Sequence, residues 1–159
     1  MQVEHDKNAK DSVLVLDTCG LDAEAREIKN CYLQCADALI FVYSIDNQAS
    51  FDVLLENRQI IERTLKERKD FCLAILGNKV DNEGARMVAK DAALLKWKDD
   101  SVANRDRIKI YEVTAKGRET LIEPFSFILS RLFPSQKESK FLLPRRKDKQ
   151  PGAAIVIDI

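Results

Sequence analysis

The chain has 159 residues with 26 basic and 26 acidic side chains, so its formal net charge is zero. That balance argues against a dedicated nucleic-acid binder, which needs a surplus of Lys and Arg facing phosphates. Hydrophobic residues make up 45% and charged ones 33%, an ordinary mixture for one soluble domain that buries a core.

From the N-terminus, Met1 to Ser12 is polar and charged, without the apolar centre of a signal peptide. Ser12 to Asp17 is a β-branched apolar run ending in turn chemistry, a strand by this reading. A helix is expected after Glu24, with Cys31 and Cys35 on its buried face because they lie four apart. Ala38 to Ile45 is nearly continuous apolar sequence, the mark of a strand covered on both faces. Leu54, Ile61 and Leu65 line one face of an expected helix over Phe51 to Lys69. Phe71 to Gly77 reads as another strand. Val88, Ala92 and Leu95 suggest a helix over Arg86 to Lys98, and Trp97 is placed at the domain edge. Ile108 to Val113 is a further strand. Leu121, Phe125, Ile128, Leu129 and Leu132 form a helical stripe, with Thr120 and Glu123 as a capping box and Pro124 in the first turn. Strands alternating with helices imply βαβ units and a mostly parallel sheet. Beyond Pro134 the sequence turns basic and polar and reads as a flexible tail, so the expected division is residues 1–133 and 134–159.

Three short motifs follow expected strands, where open α/β sheets place ligands. In Asp17-Thr18-Cys19-Gly20-Leu21, the carboxylate of Asp17 suits Mg²⁺ held through water, and Gly20 lets a backbone N–H approach a terminal phosphate. A plain strand-to-helix turn accounts for this motif equally well on its own. In Asn78-Lys79-Val80-Asp81, the Asp81 carboxylate can accept two hydrogen bonds from guanine, which adenine cannot offer. The Lys79 stem can cover the base, and Asn78 can tie neighbouring loops together. In Thr114-Ala115-Lys116, the N–H of Ala115 is placed to meet the guanine carbonyl. Each motif alone is weak; the three in order, each at a strand end, are specific.

Together they resemble the third, fourth and fifth nucleotide-site motifs of the Ras-like small GTPases, over roughly Val3 to Phe133. Within that superfamily the chain most resembles the kappa-B-Ras proteins, which interact with inhibitors of NF-kappa-B. Asp17 to Leu21, the segment from Cys35 to Ser44, Leu121 to Phe125 and the basic stretch from Lys140 carry this likeness. The resemblance implies an α/β, Ras-like P-loop GTPase fold with GTP or GDP and Mg²⁺ as ligands. It implies inhibitors of NF-kappa-B as partners, with regulators of the Ras and Ral pathways as further candidates, and a cytoplasmic role restraining NF-kappa-B activation.

Two departures qualify the chemistry. Leu21 stands where most Ras-like enzymes carry the Gln that orients the attacking water, so weak or absent hydrolysis is expected, and whether the chain is an enzyme stays open. A side chain that packs the next helix explains Leu21 equally well. No G-x-x-x-x-G-K-[S/T] occurs, and only five glycines are present. The chain therefore reads as N-terminally shortened, without the family's first strand, phosphate loop, first helix and first switch, and its nucleotide affinity is expected to be poor. Losing a central strand removes about five hydrogen bonds at roughly 1 kcal/mol net each, comparable to a domain's whole stability. Marginal stability is the expectation, with the flanking strands either closing on one another or taking a partner strand. The alternative function is a GTP-hydrolysing switch whose phosphate loop lies outside this chain.

Other residues carry less. His5, the single histidine, sits in a polar segment and reads as solvated. Cys19, Cys31, Cys35 and Cys72 lack paired metal-ligand spacing and fit a reduced compartment. Cys19, beside the phosphate-side motif, reads as an ordinary thiol. Asp99 and Asp100 read as a solvated helix end. Lys140, Arg145, Arg146, Lys147 and Lys149 read as a solvated tail. The apolar end Ile155 to Ile159 has no C-a-a-X cysteine, so no prenyl anchor is expected.

Overall fold

The two longest apolar runs become the central strands β3 (Ala38–Ser44) and β4 (Cys72–Asn78) of a computed structural model that describes residues 2–6, 9–21, 26–97, 106–134 and 153–158. Side chains 1–11, His5 included, and residues 98–105 and 135–152, with Asp99, Asp100 and the basic tail, lie outside that description. The remaining strands are β1 (Gln2–Asp6), β2 (Ala9–Asp17), β5 (Ile108–Glu112) and β6 (Ala153–Asp158). They form one six-stranded sheet in the order β1-β2-β6-β3-β4-β5, antiparallel only between β1 and β2. The sheet is the α/β arrangement expected from the alternating pattern.

Successive side chains of a strand point to opposite faces, and each face has its own core. Leu39, Phe41, Tyr43, Leu73 and Ile75 join one cluster, under α1 (Asn30–Cys35), α2 (Gln48–Glu56), α3 (Arg58–Glu67) and α4 (Ala92–Trp97). Ala38, Ile40, Cys72, Ala74 and Leu76 join the other, covered by α5 (Arg118–Leu132) through Ile128 and by Phe133. This two-sided burial is why β3 and β4 read as continuous apolar runs.

The main departure concerns the C-terminal segment. Six residues read as part of a flexible tail form β6, which pairs parallel with β2 from Val13↔Ala153 to Asp17↔Ile157 and with β3 from Ala38↔Ile155 to Phe41↔Asp158. Ile155 and Val156 are fully buried, one in each core. Asp37 fixes the register: its N–H donates to the Ala154 carbonyl at 2.7 Å, and its carboxylate accepts from the Ala154 N–H at 2.9 Å. The flanking strands neither close on each other nor wait for a foreign strand; the chain supplies the strand itself. Composition misled here because Ala153 to Ile157 is apolar while residues 135–152 are charged.

Smaller corrections have local causes. The helix expected over Phe51 to Lys69 breaks at Asn57, whose buried side chain accepts from the Ile28 N–H at 2.8 Å and donates to the carbonyls of Arg26 at 2.7 Å and Val53 at 2.9 Å. Leu54, Ile61 and Leu65 are nonetheless buried as expected. Of the helix expected over Arg86 to Lys98, the described residues form only α4, because Val80–Ala85 winds as a 3₁₀ turn and the N–H groups of Met87 and Val88 are taken by the Ile45 carbonyl at 2.8 and 3.0 Å. Val88 is buried outside any helix, Leu95 is 65% exposed, and Trp97 lies in the core instead of at an edge, with the Arg58 guanidinium 6.0 Å from its ring. Cys31 and Cys35 face outward, and Leu33 is the residue α1 buries. The capping box does not form: Gly117 is the N-cap of α5, and Pro124 sits in its interior.

Candidate functional site

Parallel strands deliver their C-terminal ends to one edge of the sheet, and the loops after β3, β4 and β5 meet there. Asn78, Lys79, Asp81, Asn82, Thr114, Ala115 and Lys116 line an open pocket of about 420 Å³. All six residues assigned to guanine from the sequence are therefore neighbours, although they come from loops more than thirty positions apart.

Asn78 ties the loops as expected: its Oδ1 accepts from the N–H of Lys79 at 2.8 Å and of Ala115 at 3.1 Å. The turn needs Lys79 in the left-handed region at φ 70°, the one non-glycine residue there among the described residues. Such a conformation is costly for a side chain with a Cβ, and functional loops concentrate it. The Lys79 ammonium reaches Asp46 at 3.2 Å.

Asp46 was not singled out in the sequence, yet it organises the β3 side of the pocket. Its carboxylate accepts from the Ser44 hydroxyl, from Asn82 Nδ2 at 3.1 Å and from Lys79. Those donors, Ser44 foremost, hold its pKa down at about 2. The available signal was the polar Ser44-Ile45-Asp46-Asn47 ending an apolar strand, with Asn47 capping α2 through the N–H groups of Ala49 and Ser50. Thr120 is the second unforeseen organiser: its hydroxyl accepts from the Thr114 N–H at 3.0 Å and lies 3.1 Å from the Thr114 carbonyl. It sets the Thr114-Ala115-Lys116 loop instead of capping a helix.

Asp81 is held between Lys116 Nζ and the Thr114 hydroxyl, each at 2.5 Å. Lys116, then Thr114, keep its carboxyl below the ordinary range, and Asp81 in turn raises the Lys116 ammonium. A carboxylate has about four lone-pair positions, so two remain for the paired donors of a guanine edge. The base half of a guanine nucleotide thus fits this chemistry. The N–H of Ala115 already donates to Asn78, so it would meet a guanine carbonyl only as a shared donor.

Asp17 and Gly20 stand apart from the pocket lining, after β2 and beyond β6 and β3 in the sheet order. Asp17 ends its strand exposed, Thr18 donates to the Ile157 carbonyl at 3.0 Å, and Gly20 uses its freedom at φ 79° to aim its N–H at the Thr18 hydroxyl, 3.3 Å away. Cys19 is exposed. Leu21 packs against the core cluster beneath the helices, as a structural residue would. Among the described residues no group of three His, Cys, Asp or Glu side chains is arranged to hold a metal; the exposed Asp17 carboxylate is of the type that holds Mg²⁺ through water. No helix among these residues is long and apolar enough to cross a membrane.

Comparison with known proteins agrees with this architecture. The Ras family profile matches residues 1–133. The mouse NF-kappa-B inhibitor-interacting Ras-like protein 1 is 36% identical over 147 residues, covering 92% of this chain and 72% of that protein. Its human counterpart is 35% identical over the same shares, and the chicken NF-kappa-B inhibitor-interacting Ras-like protein 2 is 34% identical over 95% of this chain and 74% of its own length. With strand-end motifs, a mostly parallel sheet and these relatives in agreement, the chain belongs to the Ras family, alongside the NF-kappa-B inhibitor-interacting Ras-like proteins.

Proposed function

We propose that this chain is a Ras-like signalling protein that binds inhibitors of NF-kappa-B and restrains NF-kappa-B activation, with weak or no GTP hydrolysis. The relatives' names support the partner class. The observation that carries the weak hydrolysis is Leu21, partly buried against the core, whose side chain can neither donate nor accept a hydrogen bond to water. The pocket at Asp81 reads the guanine base of GTP or GDP, while Asp17 and Gly20 offer one corner of a phosphate and Mg²⁺ site. Base contacts without a phosphate cradle support selectivity more than affinity.

Titration of the purified chain with a recombinant inhibitor of NF-kappa-B tests the partner assignment directly. Saturable binding that persists without nucleotide is expected, and absence of binding overturns the reading. A parallel titration with fluorescent GDP and ADP is expected to show weak, guanine-selective binding; nanomolar affinity would contradict it. The assembled base-side residues favour a second reading, a GTP-hydrolysing switch. Single-turnover hydrolysis above the buffer rate would support that reading over the first.

A further inference from the structure

β6 is the strand on which the sheet depends. β2 and β3 do not pair with each other; each pairs with β6, so without it the sheet falls into two parts. Everything that grips β6 lies far away in sequence: the Ala154 N–H meets the Asp37 carboxylate across 117 positions. The slot recognises its occupant in three ways. Two strand edges hold the backbone, Asp37 reads the N–H and C=O of the second residue, and a pocket on each face buries Ile155 or Val156. The occupant is Ala153-Ala154-Ile155-Val156-Ile157, so the ligand class is an extended apolar segment with branched residues at the two buried positions, running parallel to β3.

The covalent tie between α5 and β6 is residues 133–152, a stretch whose full reach is about 65 Å. A domain of this size is only about 35 Å across, so the same tether spans to a neighbouring molecule. We propose that the slot between β2 and β3 is a strand-acceptor site that takes residues 153–158 of a second copy of this chain as well as its own, giving strand-exchanged dimers.

Leu14 and Ala154 are register partners, and Leu14 is 59% exposed. Adjacent strands lie about 4.8 Å apart, within disulfide range. The test mixes full-length Leu14→Cys with full-length Ala154→Cys at increasing concentration under mild oxidation and identifies linked peptides by mass spectrometry. The double variant Leu14→Cys/Ala154→Cys, kept dilute, reports the register within one molecule. The expected result is an internal link in the double variant and a link between molecules in the mixture that grows with concentration. That second link should fall to background when the donor chain also carries Val156→Pro, since a central strand cannot lose its N–H. An internal link with none between molecules, no link in either, or a link indifferent to Val156→Pro each overturns the proposal.

Discussion

Replacing Ile155 by Ala tests whether the C-terminal strand carries the stability of the fold. Ile155 is fully buried in the core under α5, in register with Val15 of β2 on one side and Ala38 of β3 on the other. The substitution removes three carbons, about 2.4 kcal/mol at roughly 0.8 kcal/mol per buried methylene. A cavity term brings the total to about 3–4 kcal/mol, within the range for such truncations. For a chain of this length that is a fall in Tm of roughly 10 °C. Urea unfolding followed by far-UV circular dichroism measures it, with Ile122→Ala, at a position 58% exposed on α5, as the control expected within about 0.5 kcal/mol of the parent. If Ile155→Ala and Ile122→Ala shifted the midpoint equally little, β6 would not be part of the folded sheet, and the marginal stability expected from the sequence would stand.

Four further outcomes follow from single sites. Asn57→Ala removes three hydrogen bonds and strands a buried N–H, with an expected loss of about 2–4 kcal/mol by the same unfolding assay. Asp46 has a depressed pKa, so its contribution is present above the unfolded value near 3.8 and is lost as pH falls through about 2; carboxyl NMR titration should show that midpoint, and Ser44→Ala should raise it. Burial pushes the Cys72 thiol up to about 12, so iodoacetamide at pH 8 should label Cys19, Cys31 and Cys35 in the native protein and Cys72 only after unfolding, as read by intact mass. A Cβ at Gly77 would lie 2.7 Å from the Tyr43 hydroxyl, which is buried, so Gly77→Ala should lower Tm by several degrees, and an unchanged melt would refute that contact.

The strand-acceptor slot also bears on the proposed function. A partner that engages the slot between β2 and β3 and one that engages the nucleotide-side pocket would act on separate parts of the molecule, since β3 lies between that slot and the strands whose loops carry Asp81 and Lys116. Binding of an inhibitor of NF-kappa-B can therefore be mapped by whether Asp81→Ala or Leu14→Ser, at the exposed position beside the slot, weakens it.

Local pattern alone carries the apolar runs that had to be buried strands, the three strand-end motifs, and the family they resemble. Ala38–Ser44 and Cys72–Asn78 are continuous apolar runs because both faces of each strand are covered. The six base-side residues were legible because each follows a strand whose end must reach the same sheet edge. Other features were decided by contacts between distant segments, which no local window contains. Asn57 breaks a helix because Arg26 and Ile28 present a carbonyl and an N–H to its side chain. Asp46 matters because Lys79 and Asn82 arrive beside it from another loop. Ala153–Asp158 reads as the end of a tail in sequence and is a central strand in space, because only the folded sheet presents two free edges, a carboxylate at Asp37 and a pocket on each face for Ile155 and Val156.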